Sequence, residues 1–282
     1  MWVVMVGLDR QEAARQAREA LEIIRLGVYV APDGSKVSIA APLKRSIRNT
    51  RSFFPDDGSI PTSKTSDVRT RIEVTTESTF AAANRLVREG HLPAALNFAS
   101  AKKPGGGFIN GAKAQEEALA RSSGLYECIR DDPMYAYHAE NRDPLYASYA
   151  IYSPGVPVFR GDDATLLNEP FLTAVITAPA PNAGEVLKSD PTRGEEVRRA
   201  MQERIMQVLG IAAMFDHDAV VLGAWGCGVF RNDTDEVAQF FYEALTGPFR
   251  GAFERVVFAI LDSSEERVFV GPFERRFNPD AQ

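Results

Sequence analysis

The stretch Ala94-Ala95-Leu96-Asn97-Phe98-Ala99-Ser100-Ala101-Lys102-Lys103-Pro104-Gly105-Gly106-Gly107-Phe108-Ile109-Asn110-Gly111-Ala112-Lys113-Ala114-Gln115-Glu116-Glu117 governs the reading of this chain. Its first five residues form a short apolar run that predicts a strand, and a helix is predicted from about Ala112 to Ile129. Between them lies a loop with three successive glycines. Such glycines let the backbone take left-handed angles and approach a ligand with no Cβ in the way. The helix that follows offers unpaired N–H groups and a positive dipole end, which together suit a phosphate. Taken alone, a glycine run is more often a tight turn that permits close packing. Two familiar nucleotide motifs do not fit it. A P-loop needs Lys and Ser/Thr after its second glycine, whereas Gly106 leads on to Gly111-Ala112-Lys113. A dinucleotide fingerprint starting at Gly105 needs Gly or Ala where Asn110 stands.

Outward from this unit the same alternation continues. Upstream, Arg71–Thr75 predicts a strand, and Ser78 or Thr79 caps a helix over Phe80–Glu89. Downstream come strand Phe171–Ala178, helix Arg193–Phe215, strand Ala219–Gly223, helix Thr234–Leu245 and strand Val256–Leu261. Strands alternating with helices, and strands as continuously apolar as Ala219–Gly223, predict an α/β layer fold with the sheet covered on both faces. The middle, Arg130–Asp163, reads as irregular and aromatic-rich, with Tyr135, Tyr137, Tyr146, Tyr149 and Tyr152. Before the first α/β unit lie a helix over Gln11–Ile24 and a hairpin signal over Val28–Ile39, turning at Pro32-Asp33-Gly34. Arg51–Ser66 reads as loop or boundary.

A second glycine loop, Ala224-Trp225-Gly226-Cys227-Gly228-Val229-Phe230, follows strand Ala219–Gly223. Two such loops at the carboxyl ends of strands in one sheet would face each other across a crevice, the place where open α/β sheets hold ligands. Together they suggest a cleft for a diphosphate. Cys227 as a nucleophile would need a histidine partner, and none stands near it in sequence. It is expected to be a small, partly buried loop residue.

Composition narrows the ligand. The 282 residues carry 32 Lys and Arg against 38 Asp and Glu, a net charge of −6, so a basic nucleic-acid-gripping surface is not expected. An anionic ligand must then be held by local backbone amides. No apolar stretch approaches the roughly 20 residues of a membrane span. The opening Met1–Leu8 is too short for a signal peptide, so the expectation is a soluble cytoplasmic protein. Cys128 and Cys227 form no CxxC pair, and His91, His138 and His217 are scattered, so neither a disulfide framework nor a structural metal is expected.

Gln115-Glu116-Glu117 falls in the first turns of the helix that leaves the first glycine loop. Acidic residues favour helix N-termini, and Glu117 stands four residues before Arg121, so a surface ion pair accounts for it in isolation. Its place beside the loop allows more. Neighbours on a helix diverge by about 100°, so one carboxylate can face the cleft while the other braces it or binds a hydroxyl. Glycoside cleavage needs a carboxylic acid to protonate the departing oxygen and then a carboxylate to activate water.

The triple glycine Gly105-Gly106-Gly107, a short spacer and Gln115-Glu116-Glu117 resemble the signature of poly(ADP-ribose) glycohydrolases, and Trp225-Gly226-Cys227-Gly228-Val229-Phe230 looks like that family's second signature. The frame from about Arg71 to Leu261 is similar to a macrodomain, with Ile72-Glu73-Val74-Thr75, Leu96-Asn97-Phe98-Ala99-Ser100 and the glycine loop matching in order. Residues before about Thr70 resemble the N-terminal extension of the bacterial subtype.

The resemblance implies a three-layer α/β/α macrodomain-like fold with a mixed sheet, an extension over 1–70 and a catalytic domain over 71–282. It implies hydrolysis of the ribose–ribose O-glycosidic bonds of poly(ADP-ribose), with ADP-ribosylated proteins carrying the substrate, ADP-ribose as the product and no cofactor. Release mainly from chain ends is expected, with the extension and the tyrosine-rich middle walling off one end of the cleft. By carry-over, Glu117 protonates the leaving ribose oxygen and later deprotonates water, Glu116 holds ribose hydroxyls, Gln115 supports the pair, and Phe230 packs on the terminal ribose and orients its anomeric carbon. Asn97 matches the first asparagine of macrodomains, and tying the strand end to the next turn accounts for it equally well. Gly105, Gly106, Gly107, Phe108, Gly226, Cys227, Gly228 and Val229 complete the expected substrate contacts, with Glu77 and Thr79 near the adenine. Ser100 stands where many macrodomains carry a second asparagine, so catalysis should rest on the glutamates. Two other readings share much of this frame. A binding module would not need the glutamate pair. An enzyme removing single ADP-ribose units from proteins would need no polymer end, and the missing asparagine counts against it.

Overall fold

The computed structural model describes residues 9–55 and 58–278; the apolar opening Met1–Leu8 lies outside them. Helix α1 (Arg10–Leu26) begins where the Asp9 carboxylate accepts the Glu12 N–H and ends at Gly27, whose φ of 69° only glycine takes readily. It buries the stripe Ala13, Ala17, Ala20, Ile23 and Ile24. Strands β1 (Val28–Val30) and β2 (Lys36–Ser38) make the expected hairpin, and helix α2 (Ala40–Asn49) follows.

Among the described residues, seven further strands form one sheet. In chain order they are β3 (Arg51–Phe53), β4 (Arg71–Thr75), β5 (Pro93–Phe98), β6 (Ala150–Arg160), β7 (Leu166–Ala178), β8 (Ala219–Leu222) and β9 (Arg255–Ala259). Their order across the sheet is β3-β6-β7-β5-β8-β9-β4. The run β7-β5-β8-β9-β4 is parallel, while β6 lies antiparallel to both β3 and β7, which makes the sheet mixed. The helices between strands are α3 (Thr79–Arg88), α4 (Gln115–Ser122), α5 (Leu125–Ile129), α6 (Pro133–Glu140), α7 (Ala183–Ser189), α8 (Gly194–Met214) and α9 (Thr234–Thr246), with α10 (Val270–Phe277) after the last strand.

The period of two along each strand separates the layers. Ala94, Leu96, Val220, Leu222, Val256 and Phe258 point to the face covered by α8, α9 and α10. Ala95, Ala219, Val221, Val257 and Ala259 point to the other, against Ala82, Ala83 and Leu86 of α3. On that same side, α1, α2 and α5 pack over Ile151, Val158 and Val175 of β6 and β7. The result is helices on both faces of one mixed sheet.

Four expectations need correction. Arg51–Phe53, read as loop, is the edge strand β3, paired with β6 through Arg51–Tyr152 and Phe53–Ala150. Three residues with one buried side chain are too few to show a period. The helix expected over Ala112–Ile129 starts at Gln115 and breaks after Ser122. There Ser123 bridges to Val158, the Gly124 N–H goes to the Pro157 carbonyl, and a Cβ at Gly124 would stand 2.7 Å from Leu43 Cδ1. Arg130–Asp163, read as irregular, contains α6 and the long strand β6, whose alternation is interrupted by Ser153-Pro154-Gly155 at a register shift. Strand β7 begins at Leu166, five residues before the expected Phe171.

Candidate active site

Strands β5 and β8 are neighbours in the sheet, so the loops after them open side by side at its carboxyl edge. Their pairing runs only from Pro93–Ala219 to Ala95–Val221, which leaves the end of β5 in need of polar partners. The Gln115 side chain supplies them. Its Nε2 donates to the Leu96 carbonyl at 2.7 Å and to Thr79 Oγ1 at 3.1 Å, while its Oε1 accepts the Phe98 N–H at 2.9 Å. One amide thus ties the start of α4 to β5 and α3, and fixes the direction in which the next two glutamates project.

Both carboxylates meet the glycine loop. Gly107 N–H donates to Glu117 Oε1 at 2.9 Å, and Ser100 N–H donates to Glu116 Oε2 at 2.7 Å. Gly105 and Gly106 both have left-handed φ, 67° and 60°. A Cβ on Gly106 would stand 3.0 Å from Glu116 Oε2 and collide with Glu117 Oε1. Glycine at 106 is therefore required twice, by its backbone angle and by two carboxylates pressed against it.

Glu116 is 4% exposed and its Oε1 has no protein partner. Burial, with the Glu117 charge adding to it, pushes its pKa up to about 8 despite the opposing Ser100 bond. Its surroundings favour the protonated form. The Glu117–Arg121 surface pair does not form: both residues are buried, and Arg121 Nη1 donates to the Ala112 carbonyl at 2.5 Å.

The second loop is braced by Asn232, whose Nδ2 donates to the carbonyls of Pro181 (2.8 Å) and Gly226 (3.0 Å). Gly226 has φ 75°, and a Cβ there would stand 2.6 Å from both Ala180 Cβ and Asn232 Nδ2. Cys227 is buried, which pushes its thiol up to about 12, far from the thiolate a nucleophile needs. Between the loops runs a cleft of about 640 Å³.

The model of the microbial-type PARG catalytic domain matches residues 17–161. The chain belongs to the microbial-type PARG family. Among solved structures, the X-ray structure of poly(ADP-ribose) glycohydrolase (PARG) from Thermomonospora curvata is 46% identical, with a TM-score of 0.89 over 95% of this chain and 100% of that one. The structure of PARG from that organism bound to the inhibitor ADP-HPD is similar at 46% identity and TM-score 0.87, again over 95% of this chain and 100% of that one. PARG from Deinococcus radiodurans in complex with ADP-ribose is similar at 44% identity and TM-score 0.78, over 85% of this chain and 98% of that one. No curated protein matches the chain. The mixed α/β architecture is that of the PARG structures, and membership makes the chain a glycohydrolase.

Of the residues singled out in the sequence, Gly106, Gly107, Gln115, Glu116, Glu117, Gly226, Gly228, Val229 and Phe230 line the cleft, as does Thr79. Others stand behind its wall. Asn97 is fully buried and donates through Nδ2 to Thr177 Oγ1 at 3.2 Å. Phe108 is buried against Tyr126 with ring centroids 4.9 Å apart, and its contact bears on Gly105, where a Cβ would stand 2.9 Å from Phe108 Cδ1. Cys227 faces inward, its Sγ 3.6 Å from the Trp225 carbonyl. Glu77 lies outside the lining and pairs with Arg85 at 2.9 Å.

Sequence reasoning missed Asp162, Lys103, Lys113 and Phe269 on the cleft wall. Asp162 sits in the turn between β6 and β7 and accepts the Ser78 hydroxyl at 2.7 Å, and burial raises its pKa. Only the pairing of β6 with β7 brings it there, and β6 itself was hidden in the sequence. The two lysines add positive charge beside loops that were read for their backbone amides alone. His91, Asp218 and Glu254, scattered in sequence, converge before the amino ends of β5, β8 and β9, at the edge of the sheet opposite the cleft. There His91 Nδ1 and Asp218 Oδ2 are 3.1 Å apart, and Asp218 also accepts the Leu92 N–H. No helix among the described residues is long and apolar enough to cross a membrane.

Proposed function

We propose that Glu117 is the general acid/base with which this PARG hydrolyses the ribose–ribose bonds of poly(ADP-ribose). The observation that carries the reading is the Glu117 carboxylate on the cleft wall, held through Oε1 by the Gly107 N–H against a left-handed glycine. Glu117 gives its proton to the departing ribose oxygen as the glycosidic bond breaks. The resulting carboxylate takes a proton from water, the water oxygen bonds to the anomeric carbon, and the acid is restored. Glu116 stands beside Glu117 across Gly106, with its pKa raised by burial. Glu116, also on the cleft wall, holds a ribose hydroxyl, while Phe230 orients the terminal ribose. The diphosphate lies between the glycine loops, near Lys103 and Lys113.

End-directed cleavage is part of the same reading, with the extension packed against the first glycine loop. Arg10 Nε donates to the Asn110 carbonyl at 3.0 Å, and the Arg10 carbonyl rests where a side chain at 111 would be. Among the described residues, the cleft lining itself includes no residue of 1–70 and no tyrosine, so the extension acts through the first glycine loop, while the middle segment contributes Asp162. In this reading 1–70 is an extension packed on a 71–282 catalytic domain, and its strand β3 joins the main sheet.

Glu117→Gln tests the centre of this reading. Glutamine can still accept the Gly107 N–H, so melting temperature and ADP-ribose affinity are expected to stay near those of the wild type. Single-turnover cleavage of purified polymer should fall by about 10²–10⁴-fold. A folded variant cleaving within tenfold of wild type would remove Glu117 from the chemistry.

A further inference from the structure

Tyr146 lies outside the cleft and belongs to neither glycine loop, yet it contacts both. The Lys102 ammonium, on the approach to the first loop, sits 5.8 Å from the centre of the Tyr146 ring. The Phe230 ring, at the end of the second loop, lies 6.1 Å from it at 50°. The backbone at Tyr146 has φ 59°, an uncommon conformation for a residue with a bulky side chain. Something must hold it, and that is Arg204 of α8.

Arg204 is 1% exposed, and no carboxylate pairs with it among the described residues. Its guanidinium instead donates to three carbonyls: Nη2 to Leu145 (2.6 Å) and Tyr146 (2.8 Å), and Nη1 to Pro179 (3.3 Å). A buried cation held only by carbonyls is a costly way to close a loop, since a well-packed apolar side chain of similar volume would serve stability as well or better. What the guanidinium adds is geometry: it joins the 145–146 turn to Pro179, next to the Ala180 that underlies Gly226. The neighbouring His138, neutral because burial lowers its pKa to about 4, accepts the Ala147 N–H at 3.1 Å and sets its ring 5.5 Å from Tyr146.

We propose that Tyr146, locked by Arg204, is a positioning residue for the reaction: its ring backs Phe230, fixes the face that Phe230 presents to the terminal ribose, and registers that face to the first loop through Lys102. The inference rests on the ribose-orienting role proposed above for Phe230. A group that orients a reacting sugar acts on the rate more than on polymer binding, because the misplacement is felt at the anomeric carbon while the diphosphate contacts persist.

The test uses the full chain and poly(ADP-ribose), comparing Tyr146→Asn, Tyr146→Phe, Phe230→Ala and the Tyr146→Asn/Phe230→Ala double variant by kcat, KM and melting temperature. Asparagine tolerates the left-handed backbone, so Tyr146→Asn removes the ring without straining the turn. The expected result is a kcat about tenfold lower with KM within about twofold, restored to near wild type in Tyr146→Phe, which keeps the ring. The double variant should be no slower than Phe230→Ala alone, because Tyr146 acts through Phe230. If Phe230→Ala turns over like wild type, the role of Phe230 fails and this inference with it. If Phe230→Ala is impaired but Tyr146→Asn is not, or the two losses multiply in the double variant, the role of Phe230 stands and that of Tyr146 is overturned.

Discussion

A single Cβ at position 106 would stand 3.0 Å from one glutamate of the pair and collide with the other, so the loop and the carboxylates specify each other atom by atom. Burial in the same place raises the pKa of Glu116. Its ordinary value of 4.5 rises to about 8, so between these values the folded chain keeps a proton that the unfolded chain releases. Stability must then fall as pH rises from about 4.5 towards 8, and level off above. Glutamine cannot ionise but can still accept the Ser100 N–H. The difference in unfolding free energy between Glu116→Gln and wild type should therefore grow in favour of the variant from pH 5 to pH 8, by an amount on the order of a few kcal/mol at most. Melting curves across this range check it; a difference that does not change with pH would mean that Glu116 ionises normally. The sequence offered no hint of this asymmetry, because adjacent glutamates look alike until their surroundings are known.

At the scale of elements, the first glycine loop is held from both ends. Gln115 pins the start of α4 to β5, and α1 packs under the short helical turn Phe108–Asn110, with Ala17 against Phe108 and Ala120. Gly111 makes that contact possible: its φ is 78°, and a side chain there would strike the Arg10 carbonyl. Gly111→Ala is expected to cost about 1–3 kcal/mol, from the left-handed angle and from displacing α1. Calorimetry should show the lower melting temperature, with turnover falling alongside it as the loop shifts. A variant as stable as wild type would detach α1 from the loop. Most elements were legible in advance, since Gln11–Ile24 and Arg71–Thr75 carry their own period and Ala94–Phe98 and Ala219–Gly223 are short apolar runs. Those that were not depend on partners: β3 exists because β6 pairs with it, and the helix after the loop breaks because Ser123 bridges to Val158.

Over the whole molecule, the extension and the catalytic frame are one packed body, with Glu19 of α1 paired to the buried Arg160 of β6 at 2.9 Å. If the extension closes one end of the cleft, poly(ADP-ribose) should yield mainly free ADP-ribose from the earliest times. Chromatography of products during the first few per cent of turnover checks this, and abundant early oligomers would contradict it. The sequence by itself determined the alternating α/β order, the two glycine loops and the Gln115-Glu116-Glu117 step, because each is written within a few consecutive residues and obeys local backbone rules. Only the tertiary structure decided which of those residues face the cleft: Gly106 and Phe230 on the wall, Asn97, Phe108 and Cys227 behind it, Arg121 buried rather than exposed, and Asp162 brought in from the β6–β7 turn. The reason is physical. Burial, proton affinity and the meeting of distant turns depend on contacts between residues far apart in the chain, and these are set only when the sheet is assembled.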